Sequence, residues 1–93
     1  MIDVIWSSTA RNQYFEQLNY LYDHFGESTA LKFQEKVFKI EDQLATGLVK
    51  YPASKQLGLE KCVLDKYNAL IFQRDKEQIR IVLLINNRSD WDY

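Results

Sequence analysis

The chain is poor in the residues that usually announce a specialised fold: it has one cysteine, one proline, three glycines and one histidine. Cys62 has no partner for an internal disulfide. Neither it nor His24 belongs to a cluster at metal-ligand spacing, so a disulfide scaffold and a conventional zinc site are both set aside. No glycine-rich phosphate loop and no nucleophile elbow occurs, which disfavours nucleotide-binding and hydrolase chemistry and implies no cofactor. The longest strongly apolar stretch, Ile81 to Ile85, is strand-sized and far short of the ~20 residues a membrane helix needs. The N-terminus lacks a basic opening followed by a long apolar run, so a reducing cytoplasm is the expected location. Charge of one sign is also missing. Twelve basic and thirteen acidic residues leave a net charge of −1, so any attraction to nucleic acid would have to come from a local patch.

What is present is enough for one core. Of the 93 residues 46% are apolar and 14% aromatic, which argues against disorder and fits a single domain. A domain of this length buries about 60–65% of the surface its unfolded chain exposes. Ile2, Val4 and Trp6 alternate with Asp3, Ile5 and Ser7 as an opening strand. Ser7, Ser8 and Thr9 offer N-caps for a first helix with apolar positions at Ala10, Tyr14, Leu18, Leu21 and Phe25, widened by Phe15 and Tyr22; Gly26 ends it. A second helix is predicted from about Ser28 to Ala45, with Ala30, Phe33, Val37, Ile40 and Leu44 on one face, Leu31 and Phe38 beside them, and Gly47 closing it. So short a connection makes the two helices an antiparallel hairpin. After a loop containing Pro52, three strands are expected over Leu57–Leu64, Tyr67–Gln73 and Gln78–Asn87. The last places Ile79, Ile81, Leu83 and Ile85 on one face and Val82 and Leu84 on the other, and so reads as central in the sheet. The expected architecture is α+β, in the order β-α-α-β-β-β, with the hairpin on one face of a twisted antiparallel sheet.

Few side chains suggest chemistry. His24 stands at the end of the first helix, where a cation favours the helix dipole, and Cys62 reads as a small core residue. Lys32, Lys36 and Lys39 form a stripe interrupted by Glu35, either a solvated helix face or a contact for an acidic partner or phosphate backbone. The tail from Asn86 to Tyr93 holds Arg88, suited to clamping a phosphate or carboxylate or to pairing with Asp90 or Asp92. It also holds Trp91 and Tyr93, suited to packing on the core or stacking on a base or partner. Tyr14, Tyr20, Tyr22, Phe38, Tyr51 and Trp91 are more aromatics than so small a core can hold, which points to an interface.

The layout resembles the RelE/ParE superfamily of toxins from type II toxin–antitoxin modules. The resemblance runs through Val4-Ile5-Trp6-Ser7 and Ala10, Tyr20-Leu21-Tyr22, Phe25-Gly26, Ala30, Phe33, Leu44 and Pro52. It continues through Tyr67-Asn68-Ala69-Leu70-Ile71-Phe72 to the final strand Ile79 to Ile85 with Asn87-Arg88. It implies one toxin domain over residues 1–93 and a small cognate antitoxin as partner. Two activities occur in the family: ParE-like binding and inhibition of DNA gyrase, and RelE-like cleavage of messenger RNA on the ribosome. For the second, the resemblance nominates Arg88, Lys61 and Tyr93 as catalytic. Asn68 and Ala69, however, stand where the nuclease branch carries an arginine, and this favours the gyrase reading. A non-toxic interaction module on the same scaffold is the third possibility.

Overall fold

Six elements follow one another in the computed structural model, which describes residues 2–56 and 58–86. They are β1 (Asp3–Trp6), α1 (Ser8–Phe25), α2 (Glu27–Thr46), β2 (Glu60–Val63), β3 (Asn68–Arg74) and β4 (Gln78–Asn86). The four strands form one sheet in the order β1-β4-β3-β2. The expected architecture is present, with one correction to the expected antiparallel sheet. Strands β2, β3 and β4 pair antiparallel, but β1 lies parallel to β4. The reason is topological. α2 ends beside the start of β1, where the Ile2 N–H donates to the Ala45 carbonyl at 2.9 Å. β2 then sets out in the sense of β1, and two hairpin reversals give β4 that sense again.

α1 starts at Ser7, whose side chain accepts from the Ala10 N–H, and ends at Gly26. That glycine is the whole link between the helices, at φ 92° and ψ 173°, a region that residues with a Cβ scarcely enter. Its N–H donates to the Tyr22 carbonyl and its carbonyl accepts from the Ala30 N–H, so both helix ends are closed by one residue.

The hairpin packs on the sheet through Ala10 and Tyr14 of α1 and Phe33, Val37 and Leu44 of α2. They meet Cys62, Leu64, Leu70, Phe72, Ile79, Ile81 and Leu84. The register exposes a second correction. Ile71 pairs with Leu83 and Phe72 with Ile81, so Val82 is an extra residue in β4. The bulge reverses the alternation after Ile81 and turns Leu84 to the helix side, instead of the expected face shared by Ile79, Ile81, Leu83 and Ile85. β2 begins only at Glu60, after Gly58 at φ 82°, and stops at Val63, one residue short of the expected Leu64; the expected start at Leu57 lies outside the described residues.

The stretch just after α2 is pinned at Val49 and Tyr51. Arg74 donates through Nε to Glu60 Oε2 (2.8 Å) and through Nη2 to the Val49 carbonyl (3.1 Å). Tyr51 donates to Gln43 Oε1 (3.0 Å) and sets its ring edge-on to Phe72. Under it lies Cys62, whose thiol pKa burial pushes up, as it does the Tyr51 phenol.

Two outcomes are expected. Ser7→Ala removes the cap of α1 and a donor to the Val82 carbonyl, and should lower stability by about 2 kcal/mol in urea denaturation. Cys62 should be labelled by a thiol reagent at neutral pH orders of magnitude more slowly in the native protein than in urea. Its raised native pKa favours the protonated thiol. The associated stabilisation is therefore complete below the ordinary value of 9.0 and is lost as pH climbs through the raised one.

Candidate functional site

The turn that opens β3 is built on Asp65. One carboxylate oxygen, Oδ1, accepts from the Tyr67 N–H (2.8 Å), the Asn68 N–H (2.9 Å) and the Asn68 side-chain amide (3.2 Å). This is the local side-chain-to-backbone bonding that favours Asp in turns. It sinks Asn68 into the sheet, where the residue is buried, and projects Lys66 and Tyr67 outward. Lys66 Nζ lies 5.1 Å from the centre of the Tyr67 ring.

Across from this turn stands the last stretch of α1. Tyr20 stacks on His24 with ring centres 4.3 Å apart and meets Phe25 edge-on at 6.2 Å. His24 Nδ1 donates to the Tyr20 carbonyl (3.0 Å), the end-of-helix role expected for it. Phe25, expected on the core stripe of α1, is the last residue of that helix and is 62% exposed. Between the walls runs a cleft of about 900 Å³. Tyr20, Leu21, Phe25, Phe33 and Tyr67 give it an apolar and aromatic lining, while Lys32, Lys36 and Lys66 supply cations, and Asn68 and Asn86 reach it from the strand ends. Among the described residues Asp65 is the one acidic lining group, and its carboxylate is already engaged by the turn.

The expected site residues fall differently around this cleft. Lys32 and Lys36 of the helical stripe line it, whereas Lys39 does not. Of Lys50, Lys55, Lys61 and Lys66, which the sequence leaves able to converge with Arg88 into a local cationic site, only Lys66 does. Lys61 sits in β2 opposite Ile71, on the sheet face away from the helices, with its backbone N–H donated to the Pro52 carbonyl (2.9 Å). Arg88, Trp91 and Tyr93 lie outside the described residues. Sequence reasoning named Lys66 among the lysines that could converge on a local cationic site, but did not single out Lys66 and Tyr67 together as a cleft wall. The signal that could have found them is Asp65, three residues before Asn68 between two strands, which marks a turn that presents its middle residues.

The aromatic rings of the cleft can take apolar side chains, and its three lysines can take carboxylates or phosphates. Among the described residues no group of three or more His, Cys, Asp or Glu could hold a metal ion, and no helix is long and apolar enough to cross a membrane.

No family model and no curated protein matches the sequence. Solved structures do match. The chain superposes on the chromosomal ParDE toxin–antitoxin system of P. aeruginosa with a TM-score of 0.77 and 16% identity, covering 92% of this chain and 96% of that one. It superposes on a YoeB/ParE toxin of Agrobacterium tumefaciens with a TM-score of 0.60 and 8% identity, over 91% and 98% of the two chains. A conserved hypothetical protein of Helicobacter pylori, solved in solution, gives 0.56 and 14% over 95% and 97%. With nearly full coverage of both chains at these TM-scores, the chain shares the fold of the ParDE and YoeB/ParE structures.

Proposed function

We propose that this chain, acting as one domain over residues 1–93, is the toxin of a toxin–antitoxin module. A small cognate antitoxin holds it inactive in the cytoplasm by laying a segment in the cleft, and on release it binds and inhibits DNA gyrase. The observation that carries this reading is the cleft itself: an open aromatic and lysine-rich groove on a fold shared with a ParDE system. Inhibition by binding needs a complementary surface rather than a proton-transfer constellation.

Asn68 supports gyrase over messenger RNA. By the resemblance, Asn68 or Ala69 stands where the nuclease branch carries a cation; Ala69 is apolar and the Asn68 amide is committed to the Asp65 carboxylate, so neither brings charge to a scissile phosphate. Cleavage would lack one stabilising donor, a loss worth about 2.7–4 kcal/mol, or a hundred- to thousand-fold in rate. The second reading, ribosome-dependent cleavage, is favoured by the lysines of the cleft and the likeness to a YoeB/ParE toxin. In it Arg88 and Lys61 would stabilise charge on the phosphate, and Tyr93 would handle the proton of the attacking hydroxyl.

Matched assays on purified protein separate the two. Inhibition of gyrase supercoiling is expected, with messenger RNA on programmed ribosomes left intact and Arg88→Ala without effect on either. Ribosome-dependent cuts abolished by Arg88→Ala, with gyrase untouched, would replace the gyrase reading. Silence in both assays from folded protein would leave an interaction module.

A further inference from the structure

The outer side of the hairpin, away from the sheet, carries a second apolar surface. Phe15 and Tyr22 stand seven residues apart on α1, as do Leu31 and Phe38 on α2, so each pair shares a helix face. All four are about half exposed, between 47% and 56%. Measured from the turn at Gly26, Tyr22 comes level with Leu31 and Phe15 with Phe38, making two apolar stations separated by about 10 Å along the hairpin. At the first station lies a depression of about 210 Å³, floored by Leu18 and Ala30 and walled by Tyr22, Leu31 and Gln34. It can receive one large side chain. Four large side chains exposed together approach the few hundred Å² at which a patch signals an interaction site.

The charge around this face is acidic. Glu27, Glu35 and Asp42 are exposed along its α2 side, within one helical turn of Leu31 or Phe38, while Arg11 is the cation beside Phe15. The lysines of α2 lie elsewhere. Lys32, Lys36 and Lys39 occupy a flank about 120° further round the helix, and the first two open into the cleft. A second copy of this chain is therefore a poor occupant. Symmetric pairing would set the three carboxylates of each copy against those of the other, and seating the face on another copy's lysine stripe would give an open chain that blocks the cleft.

We infer that the outer hairpin face is a second docking surface, independent of the cleft, for an amphipathic helix of a different protein whose apolar ridge is flanked by Lys or Arg. Apolar side chains at i and i+7 on that helix span the two stations, the first entering the depression over Ala30. Its cations meet Glu27, Glu35 and Asp42. The domain can then hold an acidic or amphipathic segment in the cleft and a basic helix on its back at the same time.

The test uses the intact chain and two synthetic helical peptides with identical leucines at i, i+3 and i+7, one flanked by lysines and the other by glutamates. The lysine peptide should bind with amide shift changes centred on Tyr22, Leu31 and Phe38, and at least ten times more tightly than the glutamate peptide. Affinity should fall about tenfold in Phe38→Ser and in the exposed pair Glu35→Lys/Asp42→Lys, which leaves the core untouched, and should hold in Lys66→Ala. Equal binding of the two peptides, no binding, or shifts centred on Lys66 and Tyr67 would each overturn the proposal. So would a concentration-dependent dimer abolished by Phe38→Ser, since that would make a second copy the occupant.

Discussion

The geometry of this domain hangs on the junction at Ser7. β1 accompanies β4 only as far as Ile81, so beyond that point the edge of β4 that faces α1 would present bare backbone groups. Ser7 closes the gap from both sides. Its N–H donates to the Ile81 carbonyl and its hydroxyl donates to the Val82 carbonyl, each at 2.9 Å, while the same hydroxyl oxygen caps the Ala10 N–H. Two turns of chain further on, Gln13 Oε1 accepts from the Leu84 N–H at 2.9 Å. A buried backbone group without a partner costs about 1–3 kcal/mol, so these bonds are what let a short β1 end where it does. They also fasten α1 to the bulge. Because Val82 is the extra residue, Leu84 enters the core and Asn86, opposite Asn68, reaches the cleft.

How much of this could be read from the residues follows from which signals have a period. The hairpin was legible because Ala10, Tyr14 and Leu18, and Ala30, Phe33, Val37 and Leu44, repeat at helical spacing, and because Gly26 and Gly47 punctuate them. The face of β4 was not. From Ile81 to Ile85 every residue is apolar, so alternation carries no information, and a shift of one residue at Val82 leaves no trace in composition. Nor does alternation encode strand direction, which is why the parallel pairing of β1 emerged only from the path of the chain. The helices also carry more apolar residues than a face can bury. Phe15, Tyr22, Leu31 and Phe38 looked like a widening of the core stripes, yet the sheet covers only the central rows.

The candidate cleft was half legible for a related reason. Lys32 and Lys36 lie on one helix, where spacing fixes their face. Lys66 and Tyr67 reach the same place only through the Asp65 turn, and Lys61, five residues before Lys66, is turned to the other side of the sheet by the pleat of β2. A scatter of lysines along the sequence is thus sorted by strand register into those that reach the cleft and those that do not. Asn68 illustrates the converse. At the resolution of a motif it is a missing cation. In the fold it is the buried end of the turn that sets Lys66 in the cleft wall, so the same residue withdraws charge from one position and helps place it at another.

A net charge of −1 suggests a surface with no electrostatic preference, and for the chain as a whole that holds. Around α2 it does not. Twenty residues at 100° intervals put Glu27, Glu35 and Asp42 on one flank and Lys32, Lys36 and Lys39 on another, with the buried face between Phe33 and Leu44 packed on the core. Opposite charges that cancel in a sum remain separated by about the width of a helix, which is comparable to the ~8 Å Debye length at physiological salt. Each flank therefore presents its own sign to whatever approaches it. Since both flanks border apolar side chains, charge selects the partner while the rings supply the contact area, and one helix can serve two dissimilar surfaces without either compromising the core it is anchored to.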